Sequence, residues 1–98
     1  MCDIHQNFDN GILTVAKKGF WCDGLIQLTK VYKNKENGIL IAGKFNFTKI
    51  DRNFMIANNW WAGIKIIEEA HASILRNFIF ANFGQMKPFP KSTQQMDQ

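Results

Sequence analysis

From residue 25 to residue 48 apolar and polar side chains alternate with the two-residue period of a β-strand. Asn37-Gly38 falls in the middle of this stretch. Both residue types tolerate positive φ, so the pair predicts a two-residue hairpin loop that sets Glu36 opposite Ile39. In that register one side collects Ile26, Leu28, Lys30, Tyr32, Ile39, Ile41, Gly43, Phe45 and Phe47. The other collects Gln27, Thr29, Val31, Lys33, Lys35, Leu40, Ala42, Lys44, Asn46 and Thr48. A slip of one residue would mix the two sets, which favours this register and turns Phe45 and Phe47 towards the core.

The same opening recurs in three apolar runs: Asn10-Gly11-Ile12-Leu13, Asp23-Gly24-Leu25-Ile26 and Asn37-Gly38-Ile39-Leu40. Lys17, Lys30 and Lys44 follow at a constant offset. An interval of 13 or 14 residues between Asx-Gly pairs reads as a β-meander over about 12–50. In this meander Lys17 would face Lys30, an unfavourable pair, so Gly19 is expected to mark a bulge or a longer loop.

Beyond Ile50 the period changes. Trp60, Ile64, Ile67, His71, Ile74, Leu75 and Phe78 recur at intervals near three and four, the spacing of an amphipathic helix. Asn58 or Asn59 supplies a cap and Gly84 a stop, so the pattern predicts a helix over about 59–83. Residues 53–57 read as either a short fourth strand or an earlier helical turn. The fold class expected is therefore α+β, a three-stranded antiparallel meander under one long C-terminal helix. Residues 1–84 form a single domain in this reading, and the polar, proline-containing residues 85–98 a flexible tail.

The 98 residues suffice for one modest core, and 46% apolar with 20% charged residues suits a globular chain. No stretch reaches the roughly 18 apolar residues of a membrane span, and the first residues lack the pattern of a secretion signal, which points to the cytoplasm. Cys2 and Cys22 are expected as reduced thiols. The formal net charge is +4, and residues 12–50 hold seven lysines against Asp23 and Glu36. Any electrostatic function therefore belongs to the sheet. The abundance of Phe, Ile, Asn and Lys matches AT-rich genomes such as those of many phages and mobile elements.

Candidate chemistry is sparse. Glu68-Glu69-Ala70-His71 carries one Glu-x-x-His, whereas di-iron bundles need two such helices and two further glutamates, so His71 reads as a core histidine. Cys2, His5, Cys22 and His71 match no zinc-module spacing, and no metal or other cofactor is expected. Cys22 with His71 is the sole nucleophile and base pair that the chain offers, and no glycine-rich phosphate loop is present. These absences favour a non-catalytic protein.

Two surfaces remain. Trp60, Trp61, Phe80 and Phe83 exceed what one small sheet can cover, which points to a protein-partner surface on an inhibitor or adaptor, such as a phage or mobile-element accessory protein acting on a host factor. Self-association through a sheet edge and the helix end is the related expectation, giving a homo-oligomer. The alternative is a sequence-tolerant nucleic-acid binder using Lys33, Lys35, Lys44 and Asn46.

Overall fold

The computed structural model describes residues 2–84 and 94–96, and among these it contains eleven strands and no helix. Strands β1 (Cys2–His5), β4 (Thr29–Tyr32), β7 (Met55–Ala57) and β10 (Ile79–Phe80) form face A. Strands β2 (Ile12–Val15), β5 (Ile39–Ala42) and β8 (Ile64–Ile67) form face B, where β11 (Gln94–Met96) adds antiparallel to β8. Face C consists of β3 (Leu25–Gln27), β6 (Phe47–Asp51) and β9 (His71–Leu75). Apart from β11, every pair is parallel. Partners stand from 23 residues apart, Ile56 with Ile79, to 27 apart, Cys2 with Thr29. The chain thus visits A, B and C in turn, rises by one strand spacing and repeats, which is a β-solenoid.

The core follows from alternation within these short strands. Ile4, Val31, Ile56 and Ile79 align on face A, Ile12, Ile39 and Ile64 on face B, and Ile26, Ile50 and Ile74 on face C. Val31, Ile39, Ile41, Ile50, Ile56 and Ile64 are fully enclosed. Each contributes about 1.5–3 kcal/mol by leaving water, and β-branched side chains stack well on successive parallel strands.

Three corners join the faces, and two of them repeat a local device. Between A and B a left-handed residue (Gln6, Lys33, Asn58, Ala81) precedes an asparagine (Asn7, Asn34, Asn59, Asn82). Between C and A, Leu28, Arg52 and Arg76 are left-handed and precede Thr29, Asn53 and Asn77. A left-handed non-glycine residue costs about 1–2 kcal/mol, so each corner needs compensation. The asparagines supply it. The backbone N and Nδ2 of Asn34 both donate to Asn59 Oδ1, at 3.2 and 2.9 Å, and those of Asn59 donate to Asn82 Oδ1 at 3.0 and 2.8 Å. Asn53 donates to Asn77 Oδ1 in the same way, at 3.0 and 2.7 Å. Each Nδ2 also reaches a carbonyl one coil below: Asn59 to Val31, Asn82 to Ile56, Asn53 to Ile26. These amide ladders satisfy the buried corner groups that a sheet would otherwise pair.

The expected antiparallel meander and long helix are both overturned. Asn37-Gly38 is a corner rather than a hairpin loop: β4 and β5 lie in different sheets, and Gly38 N donates to Ala62 O at 2.8 Å. Glycine is required there for space, since a Cβ on Gly38 would stand 2.6 Å from Gly63 O and 2.7 Å from Asn59 Nδ2. The true repeat is the 27-residue step from Asn10-Gly11 to Asn37-Gly38, both leading into face B, while Asp23-Gly24 leads into face C. The expected helix over 59–83 is replaced by β8, β9 and β10, and the left-handed Glu68, Glu69 and Arg76 exclude helical continuity. Of the alternatives at 53–57, the strand is present as β7. The expected tail at 85–98 lies outside the described residues, except for β11.

The expected facing of residues 26–48 holds only in part. Ile39 and Ile41 are enclosed, but so are Val31, Thr29, Asn46 and Thr48 from the supposed polar side. Phe45, Phe47 and Leu28 are exposed. Val31 and Ile39 stand eight residues apart across the A–B corner, so the chain keeps its parity where the supposed hairpin would have reversed it, and the turn at Gly43 then shifts it by one between Ile41 and Thr48. Among the described residues no helix is long and apolar enough to cross a membrane.

Candidate binding surfaces

The residue after each ladder asparagine at the A–B corner points away from the core, giving the series Phe8, Lys35, Trp60 and Phe83 on successive coils. Trp60 is 52% exposed and Phe83 56%, and their ring centroids lie 5.9 Å apart in a tilted arrangement. Phe80, on β10, is also exposed. Trp61 is half-buried, with the Lys65 ammonium 5.8 Å from its ring centroid. The structure therefore gathers Trp60, Trp61 and Phe83 at one corner.

Glu36 lies one coil below Trp61, whose backbone N donates to Glu36 O at 3.0 Å. Burial, then the neighbouring Asp9 carboxyl, pushes the Glu36 carboxyl above its ordinary value; Lys65 pulls the other way. Burial pushes Lys65 down, opposed by Glu36. An acid with a raised folded-state value stabilises the fold below its unfolded-state titration, and that contribution is lost as pH rises through the folded-state value. Urea midpoints of Glu36→Gln and the parent chain should therefore coincide near roughly pH 4 and diverge by roughly pH 7, the parent being the weaker. Parallel curves across that range would contradict this environment for Glu36.

A second aromatic group lies where face B turns into face C. Trp21 approaches Phe45 at 5.2 Å and Phe47 at 5.4 Å, and Phe47 stacks on His71 at 5.0 Å with 4° between the planes. The parallel register produces this column, because Phe47 is the partner of His71 and the bridge between Cys22 and Asn46 brings Trp21 beside Phe45. His71 is thus an exposed ring on face C rather than the expected core histidine. Spacing could have revealed the column, since Trp21 to Phe45 and Phe47 to His71 are both steps of 24.

The lysines named from the sequence do not share a face. Lys33 and Lys35 flank Asn34 at the A–B corner, whereas Lys44 belongs to the B–C corner, 6.0 Å from the Phe45 centroid. Asn46 is completely enclosed, its Nδ2 donating to Thr14 O, Thr14 Oγ1 and Ala42 O. Its role is to fill a corner. Of the candidate catalytic pair, Cys22 Sγ lies 4.0 Å from Thr48 Oγ1, and His71 is engaged with Phe47. Among the described residues no group of three His, Cys, Asp or Glu side chains could hold a metal ion. The chain matches no family model, no curated protein and no solved structure.

Proposed function

We propose that this chain is a non-catalytic protein-binding module of the inhibitor or adaptor type, working in the cytoplasm through the A–B corner. The observation that supports this reading is the paired, half-exposed Trp60 and Phe83, carried on a corner fixed by buried asparagines. Trp61 and Phe80 extend the surface, with Glu36 and Lys65 as its polar margin. A rigid aromatic pair loses little conformational entropy on binding, and such anchors carry much of the energy of protein interfaces. The free thiols Cys2 and Cys22 suit a reducing compartment. A second copy of the chain is the related partner, since among the described residues β1, β2 and β3 are each paired on one side only.

The test is affinity capture from the native cell after nuclease treatment, with mass spectrometry separating a foreign protein from a second copy. Trp60→Glu and Phe83→Glu are each expected to lower capture by about tenfold or more, with Phe80→Glu weaker, while urea midpoints stay near the parent value. Capture unchanged by both of the first two substitutions would remove the A–B corner as the contact surface.

A further inference from the structure

The B–C corner combines two features that single-stranded nucleic acids require together, an aromatic column and flanking cations. Trp21, Phe47 and His71 stack along the solenoid axis at 5.4 and 5.0 Å, and Phe45 leans on Trp21 at 5.2 Å. Trp21 is 73% exposed. Phe47 stands between Trp21 and His71, and among the described residues His71 has no ring contact beyond Phe47, and Trp21 none beyond Phe45 and Phe47. A flat base laid on either end would extend the column in its existing geometry.

Cations border the column on both sides. Lys49 lines an open hollow of about 280 Å³ beside Phe47, His71, Ala72 and Ser73. A second hollow, of about 380 Å³, is lined by Lys17, Lys18, Lys44 and Phe45, together with Glu68. Asp23, Glu68 and Glu69 lie on or near this corner, and the four lysines exceed them. We propose that this corner binds single-stranded nucleic acid, with Trp21 and His71 stacking on bases at the two ends of the column, Phe47 holding them in line, and Lys17, Lys18, Lys44 and Lys49 meeting phosphates. A duplex keeps its bases stacked on one another and offers only its backbone, so the column favours single strands. A neutral glycan would leave the lysines without a role.

The proposal concerns a different corner from the protein-binding reading and stands or falls separately. The test uses the purified chain and fluorescein-labelled oligothymidylate, oligouridylate and a duplex of equal length, followed by polarisation at rising salt. Single strands are expected to bind, with affinity falling steeply as salt increases and exceeding that for the duplex by about tenfold or more. Trp21→Ala, exposed enough to leave the fold intact, should weaken binding by about tenfold, and Lys17→Gln with Lys44→Gln should flatten the salt dependence. Lys33→Gln with Lys35→Gln, on the other corner, should change little. Equal affinity for duplex, indifference to Trp21→Ala, or binding of a neutral glucan in place of the oligonucleotides would each overturn the proposal. So would absence of any polarisation change at low salt.

Discussion

Asn59→Leu is expected to destabilise the fold by on the order of 4 kcal/mol, a large share of the roughly 5–15 kcal/mol that holds a domain folded. Asn59 is completely enclosed, and its side chain links three coils. Its Oδ1 accepts from the backbone N and Nδ2 of Asn34, and its Nδ2 donates to Asn82 Oδ1 and to Val31 O. Leucine withdraws a partner from each of these groups in a place water does not reach, and each such loss costs about 1–3 kcal/mol. Urea unfolding would show a much lower midpoint for Asn59→Leu. Its left-handed neighbour Asn58 gives the contrast, since Asn58→Gly keeps φ near 56° at ease and should move the midpoint little. A helix cap at residue 59 would instead lose about 1 kcal/mol. A loss of that smaller size would speak against the amide ladder.

The second large effect is expected at Gly43, where the chain leaves β5 for the B–C corner. Its φ is +105°, and a Cβ there would collide with the Ala16 carbonyl one coil below. Both a forbidden backbone conformation and a backbone clash oppose any side chain, so Gly43→Ala should cost about 3 kcal/mol or more. Gly19 provides the control: its φ is +85°, but nothing stands within 4 Å of an added Cβ. Gly19→Ala should therefore lose only the conformational part, about 1 kcal/mol. Equal costs at the two positions would mean that the coils do not approach each other at Gly43 as described. Thermal or urea midpoints of the two variants decide this.

These two sites also show what was legible in the sequence. The inward facing of Ile39 and Ile41 follows from alternation alone, because a strand buries every second residue whether its neighbours run parallel or antiparallel. Partner choice was hidden, since Asx-Gly favours a hairpin loop when judged locally and the 27-residue recurrence appears only when coils are aligned. The apparent helix has a specific origin. Strands β8 and β9 each alternate, and the short corner between them sets Ile64 seven residues from His71 and Ile67 seven from Ile74, which imitates two helical turns.

The role of the asparagines is the least visible in local sequence. In isolation Asn34, Asn53 and Asn59 suggest turns or caps, yet all three are enclosed, and their value lies in stacking on equivalents 23 to 25 residues away. The aromatic surfaces were partly legible. Trp60 and Phe83 stand out as surplus apolar residues under either fold, and the structure adds that they touch. The column of Trp21, Phe47 and His71 depends wholly on parallel register, so no local pattern announces it.

Parallel coiling makes its sharpest contact claim around Gly38. Backbone amide contacts in solution NMR should join Ile39 to Gly63 and Ile12 to Gly38, as the 2.8 Å and 2.9 Å hydrogen bonds between those residues require. The Nδ2 protons of Asn34 and Asn59 should exchange slowly with solvent. Contacts joining Glu36 directly to Ile39 across a two-residue loop, with freely exchanging asparagine amides, would contradict the solenoid and the binding surfaces built on it.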